Sequence, residues 1–190
     1  MPPAAIVTPD QVSQYTQGKV SASDPRLPAL IDGATAAVRR YCGWHIAPAY
    51  TETLVVDGPG GHVLTLPTLH VTALGPVVES GTTLVEYTGA EASGVYEWSA
   101  LGNVRRTCGR WTDHYRAISV TMTHGYESAP DVAQIIMQVV AQALSSPMGA
   151  TREQAGQLSV SWATTAPGVS GGLSLLQRDL DVLNLYRLGA

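Results

Sequence analysis

The sequence is short of charge. Only 14% of its 190 residues are Asp, Glu, Lys or Arg, well below the roughly 25% of an ordinary soluble domain. Basic residues are scarce: there is a single lysine, Lys19, and the arginines are scattered. A tight nucleic-acid binder clusters Lys and Arg to displace phosphate counterions, so that class is excluded. Cysteine is nearly absent as well. Cys42 and Cys108 are too few for a disulfide framework and too far apart in sequence for a zinc knuckle. Reduced thiols are the expectation, as in a cytoplasm-like compartment. No apolar run approaches the ~20 residues that span a bilayer, so no membrane partner is expected. The first residues, MPPAAIVTPD, lack the basic stretch and apolar core of a signal peptide.

What is present is apolar. The hydrophobic fraction is 45% and the net charge −4, enough apolar side chain for one core with an appendage. Interface centres are depleted of charge, so a surface this neutral is expected to lie against other chains.

Along the chain, an N-terminal arm and helices occupy 1–47. A short helix is expected after Thr8, with Pro9 in its first turn. The next helix takes Asp24 or Ser23 as N-cap and Pro25 in its first turn. Leu27, Leu30, Ile31, Ala34, Val38, Tyr41 and Cys42 share one face of it, and Gly43 is its left-handed cap. From 48 to 127 the period changes to two. Segments 51–57, 62–67, 70–80, 95–99, 103–107 and 116–124 read as strands, with DGPGG, ESGTT and ALGN as turns. Short turns between them predict an antiparallel sheet or small barrel.

A core helix follows over 128–149. Val132, Ile135, Ile136, Val139, Val140, Ala143 and Leu144 form its apolar stripe. Gln134, Met137, Gln138, Ala141 and Gln142 form the other side, and after Asp131 the helix carries no charge. A solvated helix displays Lys and Glu on that side, so this one is expected to pack on both faces. Residues 150–190 read as an extended arm ending in a helix, with a Ser174–Gln177 capping box. Leu158, Val160 and Trp162 alternate with polar residues, as in a strand that adds to another sheet. The expected fold is therefore α+β: a helical bundle with an inserted antiparallel β-sheet or small barrel, and a C-terminal arm.

Candidate chemistry is thin. In RRYCGWHIAP (39–48), Cys42 falls at a helix C-terminus, where the dipole disfavours a thiolate, and on the apolar face. It reads as a small buried hydrophobe, with Trp44 and Ile46 packed beside it and His45 pointing away. His62 and His70 lie on strands, but no cysteine pair or acidic partner completes a metal site. Cys108 and His114 have only spacing to recommend them as a dyad. GPGG at 58–61 leads into a strand and lacks the Lys-Ser/Thr of a phosphate loop, so a hairpin turn is expected. No catalytic residue, cofactor or metal is assigned.

The order of these segments carries a resemblance. IDGATAAVRRYCGWHIAP (31–48), DGPGGHVLTLPTLHVTAL (57–74), YEWS…GNVRR (96–106), THGYESAPDV (123–132) and SWATTAPGVSGGLSLLQRDLDVLNLYRLG (161–189) together resemble the head-to-tail adaptor proteins of long-tailed phages, in particular those of actinobacteria. The likeness runs from Asp24 onward and rests on no single chemical motif. It implies a non-enzymatic ring of about twelve copies beneath the portal, located in the virion neck and assembled in the host cytoplasm. It also implies portal and stopper or tail-terminator proteins as partners, with double-stranded DNA passing through the lumen unread. Trp162, Leu175, Leu176, Leu180, Leu183 and Tyr186 are the expected portal anchors. Gln134, Met137, Gln138, Ala141 and Gln142 are the expected ring-packing face. Two alternatives stay open: another neck component, such as a stopper or tail terminator, and an enzyme with an unrecognised Cys/His site.

Overall fold

The computed structural model describes residues 3–89, 95–145, 152–155, 158–161 and 175–189. In chain order its elements are α1 (Pro9–Tyr15), α2 (Leu27–Cys42), β1 (Tyr50–Val56), β2 (Val63–Thr65), β3 (Val71–Glu79), β4 (Thr82–Thr83), β5 (Tyr96–Trp98), β6 (Asn103–Arg106), β7 (Ile118–His124), α3 (Pro130–Ser145), β8 (Arg152–Ala155), β9 (Leu158–Ser161) and α4 (Gln177–Leu183). The expected α+β class is observed. Two compact units divide the chain, one of residues 1–43 with 128–187, the other of 44–127 with 188–190.

The first unit is helical. Thr8 caps α1 with a reciprocal pair: its hydroxyl accepts from Gln11 N at 3.3 Å, and the Gln11 side chain accepts from Thr8 N at 2.8 Å. The start of α2 lies later than Asp24 predicts. The Asp24 carboxylate accepts from Arg26 N at 2.9 Å and from the Arg26 side chain, which closes a turn around Pro25. The helix then begins at Leu27 with Pro28 in its first turn. Asp24 thus satisfies a backbone donor two residues on, as a turn residue does, and not the helix itself. Gly43 ends α2 at φ 85°, its N–H bonded to Arg39 O.

Leu27, Ile31, Ala34, Val38 and Cys42 of α2 are buried, as are Val132, Ile135, Ile136, Val139 and Val140 of α3. Each of the buried Leu, Ile and Val side chains contributes about 1.5–3 kcal/mol by leaving water. Val12 of α1 and Leu183 of α4 complete this core. At α4 the Ser174–Gln177 box is not the cap seen: Leu176 is the N-cap, its N–H donating to Asp179 Oδ2 at 3.0 Å, and Ser174 lies outside the described residues. β8 and β9 form an antiparallel hairpin, so the strand expected at Leu158 is paired within its own arm.

The second unit holds two antiparallel sheets, ordered β1-β7-β3-β4 and β2-β6-β5. They are open, not a closed barrel. β7 alternates strictly: Ile118, Val120, Met122 and His124 are buried and the residues between them half-buried. Both sheets contribute to one core, with Leu64, Tyr96 and Val104 from the smaller and Val77, Ile118, Val120 and Met122 from the larger. Pro76 sits in β3 at a register shift between Leu74 and Val77, where a missing N–H costs no ladder bond.

DGPGG is not a hairpin turn, because the strands it joins belong to different sheets. Its glycines serve a close approach. Gly58 N and Gly60 N donate to His114 O and Thr112 O, each at 2.9 Å, and a Cβ on Gly58 would collide with Thr112 O. ESGTT and ALGN do close hairpins, β3–β4 and β5–β6.

Candidate functional site

Three regions hold the residues that the sequence singles out. On α3, Gln134 is exposed, while Met137, Gln138, Ala141 and Gln142 are half-buried. Val132, Ile135, Ile136, Val139 and Val140 of the apolar stripe are buried, while Ala143 and Leu144 are half-buried and Leu144 borders an open groove. Gln138, Ala141 and Gln142 form one wall of an open groove whose other wall is Tyr15, Lys19 and Arg26. Asp24 neutralises the Arg26 guanidinium, and that guanidinium in turn holds the Asp24 carboxyl down at about 2. Among the described residues lining the groove, Lys19 is the cation for which no ion pair is seen.

The C-terminal segment is the second region. Leu175, Leu176, Leu180 and Tyr186 are half-buried; Leu183 is 0% exposed. Trp162 lies outside the described residues. Side-chain bonds hold α4 and the turn after it in the first unit. Tyr41 Oη donates to Asn184 at 2.7 Å, Cys42 Sγ donates to Leu183 O at 3.6 Å, and Tyr186 Oη donates to Asp131 at 2.8 Å. Leu185, in the single 3-10 turn Asn184–Tyr186 after α4, is 78% exposed beside them. Spacing from Leu176, Leu180 and Leu183 sets Leu185 off their stripe, and the chain there has already left α4 for the 3-10 turn.

The third region is the Cys/His chemistry. Cys42 is buried and its thiol is pushed up to about 11 by desolvation, so at neutral pH it is no nucleophile. Cys108 is exposed, and His114 lies 3.7 Å from Asp113; no hydrogen bond joins Cys108 to His114 among the described residues. His62 is exposed, whereas His70 stacks on Tyr126 with centroids 4.5 Å apart. Among the described residues no three His, Cys, Asp or Glu side chains converge as a metal site would need.

His45 does not point away. It is 7% exposed, and its Nε2 donates to His124 O at 3.1 Å. The His124 ring is 4.3 Å from it, and His124 Nε2 donates to Glu52 Oε1 at 2.9 Å. Alternation along 116–124 places His124 on the buried side of β7, but nothing in the sequence pairs it with residues more than seventy positions away. His45 turns inward because Ile46 takes a left-handed φ of 65°, a conformation a β-branched residue rarely adopts.

No protein-family model and no curated protein matches the chain. Solved structures do. All of this chain aligns with 94% of a chain from the virion of the native gene transfer agent (GTA) particle, at a TM-score of 0.60 and 12% identity. A chain in the neck of the native particle, in C12 symmetry, aligns over 94% of this chain and 88% of its own, at 0.55 and 14%. In the neck of the empty particle, in C6 symmetry, the shares are 97% and 91%, at 0.55 and 15%. The fold is one found in particle necks. At these identities the likeness is one of architecture, so the residues above stand on their own geometry.

Proposed function

We propose that this chain is a structural, non-enzymatic neck protein of a phage-like particle, and within the neck the head-to-tail adaptor. About twelve copies would form a ring between the portal and the stopper or tail proteins, continuing the DNA channel. The observation that carries the reading is the end-to-end likeness of fold to chains of a particle's neck and virion. Composition supports it. A chain with net charge −4 and one lysine offers DNA no array of cations to bind, which suits a duct through which it must slide.

In this reading the neutral side of α3, from Gln134 to Gln142, packs against the neighbouring copy. Residues 150–190 dock on the portal, with Trp162, Leu175, Leu176 and Leu180 as the first contacts. Leu183 and Tyr186 join them only if α4 leaves α2 and Asp131, to which they are now held. The test is twofold. Reconstruction of the neck of purified particles should place the chain directly under the portal; density between the ring and the tail tube, or none, would overturn the adaptor role. A chain lacking 150–190 should fail to join DNA-filled heads to tails, and unchanged attachment would refute the docking assignment.

A further inference from the structure

The second unit is joined in sequence to the rest of the chain by an incoming segment, 44–47, and an outgoing one, 124–127. Inside the unit these two segments are fastened to each other and to β1 and β3. Tyr126 N donates to Ile46 O and Gly125 N to His70 O, each at 2.8 Å. Trp44 packs on Tyr126 with centroids 6.0 Å apart, and His45 packs edge-on against Tyr50 at 4.5 Å. Gly125, at φ 103°, lies so close that a Cβ there would collide with His45 Nε2. Ile46 is held in a conformation that costs on the order of 1–3 kcal/mol, so the fastening works against local strain.

At the centre of this fastening are two imidazoles whose tautomers the geometry fixes. His45 faces a carbonyl with Nε2, so Nε2 carries the proton. His124 faces a carboxylate with Nε2, so the same holds there. His124 Nδ1 is then a bare lone pair, buried and without a hydrogen-bond partner among the described residues. We propose that His45, His124 and Glu52 form an acid-sensitive clasp, closed while both rings are neutral and opened when His124 takes a second proton on Nδ1.

Each group around His124 bears on the outcome. Glu52 of β1 attracts an imidazolium, but its side chain is 29% exposed and its field is partly screened, while His124 is 3% exposed. Tyr50 of β1 and Val71, set opposite by β3, are neutral. His45, ring to ring at 4.3 Å, repels a second cation if it too is charged. A new N–H at Nδ1 meets no acceptor, and a buried donor left unpaired costs about 1–3 kcal/mol. Burial is the larger influence and holds the His124 pKa below its ordinary value, against the opposing pull of Glu52. The unfolded or opened chain therefore binds the proton more readily. Stability of the closed clasp is full above about pH 6.5 and falls as the pH drops below that value.

The test is amide hydrogen exchange of Gly125 and Tyr126 in the full chain between about pH 7.5 and pH 5, read as protection factors so that intrinsic exchange cancels. Protection should fall in the wild type as the pH drops below about 6.5, by at most about tenfold per pH unit, the ceiling that linkage of one proton sets. In His124→Gln, whose amide still donates to Glu52 but does not titrate, it should stay level. Equal loss in both proteins, or none in either, overturns the proposal. Should His124→Gln not fold, the wild-type His124 ring titration by NMR decides: it must run together with the loss of protection. Glu52→Gln, which removes the carboxylate bonded to His124, should move both to lower pH, and a ring that titrates while Gly125 and Tyr126 stay protected refutes the clasp.

Discussion

Cys42 donates its thiol proton to Leu183 O and lies among buried aliphatic side chains, whose desolvation outweighs the pull of Arg187. Burial holds the group neutral to about pH 11. Cys108 is exposed. The native chain should therefore present one thiol to a water-soluble disulfide reagent at about pH 8, and two after denaturation. Two rapid equivalents in the folded protein would show that α4 opens readily from α2. The burial of Cys42 was legible from its place on an apolar helical face before Gly43. The inward turn of His45 was not, because it depends on a left-handed Ile46, a conformation that residue type argues against. Glu79 was equally hidden. It accepts from Thr112 N at 2.7 Å and pairs with Arg106, whose guanidinium lies 4.9 Å over the Trp111 ring. In sequence those four residues belong to three separate segments.

At the level of elements, periodicity located each expected strand, and β7 shows why: one face is core and the other is not, so alternation is enforced by burial. What alternation does not carry is which strands pair. β1 and β2 are joined by six residues, DGPGGH, yet one pairs with β7 and the other with β6. The link between them is bonded instead to the backbone of 111–114, through Gly58, Gly60 and Gly61. Helix ends were legible where a residue has one way to act. Gly43 is the clearest case: at φ 85° it takes a conformation that a Cβ disfavours by about 1 kcal/mol or more. Gly43→Ala should lower the urea midpoint by the equivalent of about 1 kcal/mol with the m-value unchanged. A change in m would mean that the end of α2 rearranges instead of straining. Asp24 was less legible because a carboxylate can cap a helix or close a turn, and here it closes a turn around Pro25.

At the scale of the whole molecule, the low charge and the neutral side of α3 have one explanation under the adaptor reading: in a ring each copy buries this side against a different face of the next copy, and a charge on it would be buried there without a partner. This is open to a direct test at Gln134, exposed, and Gln138, half-buried, neither of which fills the core. Lysine has nearly the same helix propensity as glutamine, so Gln134→Lys/Gln138→Lys should leave the isolated chain as stable as the wild type, within about 0.5 kcal/mol. Ring or particle assembly should be lost, since two cations per copy then enter a buried seam without partners. Salt cannot restore it fully, because screening acts on exposed charges and not on the cost of burying them. Assembly at wild-type levels would move the seam elsewhere on the molecule. Loss of stability in the isolated chain would instead show that this side of α3 is part of its own fold, not of its neighbour's.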